Sequence, residues 1–219
     1  MDADTTKLLS TLSVAIVDDH EMVLEGFSSF MLRNGIKHVD CFKTGQALFA
    51  SMSEHSYDIY IIDLELPDID FVSLVDEIRQ RDAGTKIIIN TMHEELWTVR
   101  KMTSKMVDGV IYKSGELDDL LDAILCVAKG GHYYCDRFEQ MLTHIKTSSG
   151  ILSKREQQIL IGIARGLSTK DIAQELYISK NTVESHRQNI FSKMGARNMA
   201  DLVVKAIASG YIDPKDFED

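Results

Sequence analysis

Proline and cysteine are scarce in this chain of 219 residues: two prolines (Pro67, Pro214) and three cysteines (Cys41, Cys126, Cys135). The cysteines form no CxxC pair or other metal-ligand spacing, which argues against zinc-ribbon or dithiol chemistry and for a reducing compartment. With few prolines and 44% apolar residues, the chain has material for true cores and little for disordered linkers. No apolar run approaches the roughly 18–20 residues of a membrane span. The stretch from Met1 to Ser13 carries acids and lacks a basic region followed by an apolar one, so no export signal is expected and a soluble cytoplasmic protein is. Basic charge is short as well: 24 Lys and Arg against 34 Asp and Glu, a net of −10. At first sight this argues against nucleic acid, whose phosphates demand local positive charge. The charge is uneven, however. Residues 1–150 hold 14 basic and 25 acidic side chains, whereas residues 151–212 hold 9 and 5.

What is present divides in the same place. Short apolar runs at 14–17, 39–42, 59–62, 86–90 and 109–112 read as strands, several apolar almost throughout, as in a parallel sheet covered on both faces. Helical periods lie between and after them: Val23, Phe27, Phe30 and Met31, then Phe71, Leu74, Val75 and Ile78, then Leu117, Leu120, Leu121, Ile124 and Ala128. The expected fold is α/β, a doubly wound five-stranded parallel sheet over residues 12–131. Residues 132–150 read as a linker with room for one short helix near 136–145, closing on Thr147-Ser148-Ser149-Gly150. From 151 to 212 only helical periods remain. Ser153 with Glu156 fits a capping box, Ser168 and Ser179 stand at two more helix starts, and Gly166 and Gly195 at two stops. This predicts a small all-α domain of four helices containing a helix-turn-helix.

Open α/β sheets bind ligands beyond the carboxyl ends of their strands. There the first strand delivers Asp18 and Asp19, the third Asp63, the fourth Thr91 and the fifth Lys113. One Asp at a strand end is ordinarily a solvated loop start. Three carboxylates converging there repel one another unless a cation sits among them, and a hard ion such as Mg²⁺ suits oxygen donors. Thr91 and Lys113 could then hold phosphoryl oxygens, which suits transfer of a phosphoryl group to a carboxylate. The runs Ile16-Val17-Asp18-Asp19-His20, Asp63-Leu64-Glu65-Leu66-Pro67, Thr91-Met92-His93 and Tyr112-Lys113-Ser114 resemble the receiver domain of two-component response regulators. The resemblance implies Asp63 as phosphoacceptor and Asp18, Asp19, Asp63 and the Glu65 backbone carbonyl as Mg²⁺ ligands. It also implies Thr91 and Lys113 as partners of the phosphoryl group, and a sensor histidine kinase as donor. Two positions depart from it: Phe71 stands where the family usually has glycine, and Val110 where it often has a switch aromatic. Glu65 and His93, each two residues past a key position, are candidates for controlling water access to the phosphoaspartate.

In the helical part, a Ser-capped helix turns through Tyr177-Ile178-Ser179 into a longer one with Val183, Ile190 and Met194 inward. The runs Leu152-Ser153-Lys154-Arg155-Glu156, Ala164-Arg165-Gly166-Leu167-Ser168, Thr182-Val183-Glu184-Ser185-His186 and Lys193-Met194-Gly195-Ala196-Arg197 resemble the LuxR-type DNA-binding domain. Together the two parts resemble the NarL/FixJ class of response regulators. The resemblance makes 180–195 a recognition helix for double-stranded promoter DNA. Glu184, Ser185 and Gln188 would fall at base-reading positions, with Lys180, Thr182, Arg187, Lys193 and Arg197 at phosphates. Glutamate cannot bind phosphate but accepts from a cytosine amine, so Glu184 is expected to read sequence. Two half-site readers gain affinity when joined, so a homodimer is expected on phosphorylation.

Two other readings remain open at this level. A phosphatase or phosphotransferase of the haloacid-dehalogenase type would also use an Asp nucleophile, but needs an Asp-x-Asp pair where this chain has Asp63-Leu64-Glu65. No enzyme is therefore expected. A regulator that binds DNA irrespective of phosphorylation is the second, kept open by Val110.

Overall fold

The computed structural model describes residues 2–147 and 152–217, and the chain divides into two compact units, one α/β and one all-helical. From the amino end, α1 (Ala3–Thr11) precedes β1 (Ser13–Val17), α2 (Glu21–Arg33), β2 (His38–Phe42), α3 (Gly45–Ser51), β3 (Ile59–Ile62), α4 (Phe71–Arg81), β4 (Lys86–Thr91), α5 (Leu96–Ser104), β5 (Gly109–Tyr112), α6 (Leu117–Ala128) and β6 (Tyr133–Tyr134). All neighbouring strands are parallel, in the order β2-β1-β3-β4-β5-β6. The five expected strands are present, and a sixth, two residues long, extends the β5 edge within the span read as linker.

The strand core is apolar because both faces are covered. Ile16, Ile61, Ile88 and Ile111 share one cluster with Leu9 of α1, Leu24 and Met31 of α2, and Leu120, Ile124 and Val127 of α6. Strand residues of opposite parity, among them Ala15, Tyr60, Ile62, Ile87, Ile89 and Val110, are equally buried and by alternation face the other side. There α3, α4 and the last turn of α5 supply buried Leu48, Leu74, Val75, Ile78 and Met102. The helix α1 lies before the expected start of the domain, yet its Leu9 is fully buried. At the amino edge of the sheet, buried Asp108 accepts from Arg79 (2.9 Å), Lys86 (3.1 Å) and the Ile87 amide (3.0 Å).

A further helix, α7 (Asp136–Thr147), lies where a short one was expected near 136–145; Ser148, Ser149, Gly150 and Ile151, where the linker reading continues into the helical part, lie outside the described residues. The helical unit holds α8 (Lys154–Ala164), α9 (Thr169–Glu175), α10 (Lys180–Met194) and α11 (Met199–Ala208) around Ile159, Leu160, Ile172, Val183, Ile190 and Leu202. Ser153 and Glu156 form the reciprocal capping box of α8. Ser168 caps α9 and Ser179 caps α10 through the Thr182 amide. Gly195 ends α10 at φ 58°, a left-handed conformation that glycine adopts without Cβ strain. Gly162 lets α8 approach α9: a Cβ there would stand 2.9 Å from Ile172 Cγ1. Among the described residues no helix is long and apolar enough to cross a membrane.

Candidate phosphoacceptor site and nucleic-acid interface

Strand register delivers the acidic residues together. Val17 pairs with Ile62, and Ile62 with Ile89, so Asp18 and Asp63 leave adjacent strands at one level. The ladder runs a residue further: the Asp63 amide donates to the Val17 carbonyl and the Lys113 amide to that of Thr91, each at 2.9 Å. Asp18, Asp63 and Thr91 are buried. The Lys113 ammonium bridges them, 2.7 Å from Asp18 Oδ2 and 2.7 Å from Asp63 Oδ2. Lys113 is thus the cation among the carboxylates in this structure, where the sequence argument left it free. Burial pushes the Asp63 carboxyl above the usual aspartate value, against the pull of Lys113. Burial also works against the Lys113 charge, but its bonds to Asp18 and Asp63 outweigh it and hold its pKa above the usual lysine value. The Thr91 hydroxyl oxygen accepts from the His93 amide at 2.9 Å.

The loops around Asp63 carry features the motifs did not show. Asp68 accepts from the Gly45 and Gln46 amides at the start of α3 (3.0 and 2.9 Å), anchoring the loop after β3. Glu65 pairs with Asp70 in an isolated bridge, and its carboxylate lies 3.0 Å from His93 Nε2, tying the loop after β3 to that after β4. Phe71, at the usual glycine position, opens α4 and is buried. Val110, at the switch position, is buried in β5.

Carboxylate oxygens of Asp18, Asp19 and Asp63 lie within 4.8 Å of one another together with the His20 imidazole nitrogen. Three hard oxygen donors at a strand edge fit Mg²⁺ in donor chemistry. His20 was not among the candidates; the signal available was its place directly after the acid pair.

On α10, Lys180, Thr182, Glu184, Ser185 and Gln188 are exposed, as is Arg197 beyond it, and Arg187 is partly buried. Several are engaged within the unit. Thr169 of α9 donates to Glu184 Oε1 (2.5 Å), and Arg187 Nε stands 3.8 Å from Glu184 Oε2. Thr182 shares a hydrogen bond with Ser179 (2.8 Å), and the Ser185 hydroxyl donates to the Asn181 carbonyl (3.0 Å). Lys193 pairs with buried Glu156 at 2.7 Å, a tie across the unit that a capping-box motif does not reveal. The start of α10 holds no acid in its first turn, which suits an approaching phosphate.

Residues 14–125 match the response regulator receiver domain, and residues 150–206 match the bacterial regulatory proteins of the luxR family. The chain is 30% identical over 195 residues to the transcriptional regulatory protein UhpA of Escherichia coli, covering 87% of this chain and 95% of the relative. It is 30% identical over 210 residues to the oxygen regulatory protein NreC of Staphylococcus aureus, covering 90% and 97%. A structure of RcsB from Salmonella enterica serovar Typhimurium, bound to a promoter with phosphomimetic beryllofluoride, superposes at a TM-score of 0.65 with 24% identity, over 90% of this chain and 99% of that one.

Proposed function

The chain belongs to the response regulators that join a receiver to a luxR-family DNA-binding domain, and from that membership we propose which residues perform its phosphorylation-controlled transcriptional regulation. Asp63 accepts the phosphoryl group from a sensor histidine kinase. The observation that carries this assignment is the buried Asp63 carboxylate with the Lys113 ammonium 2.7 Å away at the carboxyl edge of the sheet. Asp63 attacks the phosphorus of the donor's phosphohistidine through a carboxylate oxygen and becomes an acyl phosphate, while the P–N bond breaks and the donor's histidine imidazole leaves with its bonding pair. Lys113 then exchanges an Asp63 oxygen for a phosphoryl oxygen, and the Thr91 hydroxyl turns from the His93 amide to donate to another. Asp18, Asp19, Asp63 and the Glu65 carbonyl would hold Mg²⁺, which when bound neutralises charge on the transferring group.

The proposed domain limits are 12–131 for the receiver, with α1 added to its core, 132–150 for the linker and 151–212 for the DNA-binding domain. Phosphorylation favours a homodimer in the cytoplasm, two α10 helices entering successive major grooves of promoter DNA. Ser185 and Gln188 read bases, and Glu184 does so when it releases Thr169. Lys180, Thr182, Arg187 and Arg197 hold phosphates; Lys193 joins them on leaving Glu156. Incubation with acetyl phosphate and Mg²⁺, followed by intact-mass spectrometry, should show one added phosphoryl group, absent in Asp63→Asn. Equal labelling of Asp63→Asn would overturn the assignment.

A further inference from the structure

His20 occupies the N-cap of α2, where Ser, Thr, Asp or Asn normally accepts from a backbone amide, yet its side chain makes no capping hydrogen bond. The imidazole turns instead to the acid pair: Nδ1 is 2.6 Å from Asp19 Oδ1 and 3.1 Å from Asp18 Oδ1. The His20 amide donates to the same Asp18 oxygen at 2.9 Å, which folds the turn so that three successive side chains converge. An imidazole nitrogen of His20 and the carboxylate oxygens of Asp18, Asp19 and Asp63 all fall within 4.8 Å of one another. Donors of one octahedral ion with bonds of about 2.1 Å stand about 3–4.2 Å apart, so shifts of a few tenths of an ångström bring all four to one centre.

We propose that His20 is a nitrogen ligand of the receiver's metal site, which gives the site a preference for Mn²⁺ and similar borderline divalent ions over Mg²⁺. The inference rests on the metal-site reading above. Mg²⁺ favours oxygen and keeps its waters, whereas imidazole suits first-row transition ions. His20 Nδ1 and the carboxylates of Asp18, Asp19 and Asp63 would hold the ion together, the imidazole supplying the one nitrogen donor. The ring is largely exposed, its side chain 67% accessible, so no packing opposes the small rotation needed.

The test uses the full chain titrated with MnCl₂, free Mn²⁺ being counted by electron paramagnetic resonance, and with MgCl₂ by calorimetry. His20→Asn keeps a good N-cap residue, so the fold is retained, and circular dichroism checks it. Pulsed resonance of bound Mn²⁺ should show nitrogen coupling in the parent and none in His20→Asn. Mn²⁺ affinity should fall about tenfold in the variant while Mg²⁺ affinity changes less than about threefold. Absence of nitrogen coupling in the parent, or equal loss for both ions, overturns the role of His20 and leaves the oxygen site standing. If Asp19→Asn binds both ions as well as the parent does, the metal-site reading falls, and this inference with it.

Discussion

With the Lys113 ammonium 2.7 Å from both Asp18 and Asp63, three ionised groups at the sheet edge depend on one another for solvation. Removing the cation strands two buried carboxylates, and breaking such a set typically costs about 3–5 kcal/mol. Lys113→Ala is therefore expected to lose about 3 kcal/mol in urea unfolding, and adding Asp63→Asn to recover part of it; a single substitution with unchanged stability would show the cluster to be solvated. Glu156 presents the opposite balance. Burial raises its pKa, but Lys193 and the Ser153 amide outweigh burial and leave it below the usual 4.5. A depressed carboxyl stabilises above its unfolded pKa, and the contribution is lost as pH falls through the folded value. Glu156→Gln should be less stable than the parent by about 1–2 kcal/mol at pH 7, with the gap closing below about pH 4.5, as urea titrations across that range would show. The acids at strand ends and the Ser-x-x-Glu motif were legible because each is a local pattern. The Lys193 and His20 contacts were not, since each depends on where another element or a backbone turn puts its partner.

Among the elements, α8 and α9 pack closely because Gly162 has no Cβ to meet Ile172. Overpacking of this kind costs about 1–3 kcal/mol, more than the helix propensity that alanine adds. Gly162→Ala should therefore lower the thermal midpoint of the helical unit, read by the far-ultraviolet dichroism of the full chain; a raised midpoint would mean that Ile172 yields freely. Over the receiver site, the His93–Glu65 pair joins two loops at 3.0 Å. If it limits water access, His93→Ala or Glu65→Asn shortens the phosphoaspartate lifetime by about threefold, as loss of an exposed pair worth up to about 1 kcal/mol permits. Lifetimes unchanged in both variants would remove that role. The long apolar strands and amphipathic helices were readable from period alone. The nine-residue α1, with a single fully buried side chain at Leu9, and the two-residue β6 are too short for periodicity to register; only burial of Leu9 in the shared core and pairing with β5 make them elements.

For the molecule as a whole, the net charge of −10 describes the receiver, while the part that carries α10 is locally basic. Beryllofluoride with Mg²⁺ should tighten binding to target promoter DNA and raise the dimer fraction in sedimentation, with neither effect in Asp63→Asn; equal affinity with and without beryllofluoride would favour a regulator indifferent to phosphorylation, the reading that buried Val110 keeps open. The amino-acid sequence by itself determined the two-part organisation, the α/β and helical classes, and the acids, threonine and lysine at strand ends, because periodicity, capping and motif spacing are properties of neighbours along the chain. The tertiary structure decided that Lys113 sits between the carboxylates, that His20 turns toward them, and that Glu184 and Lys193 are held by Thr169 and Glu156. Those contacts join residues through strand register, a cap turn and helix crossings, and their energy depends on burial that no local stretch of sequence specifies.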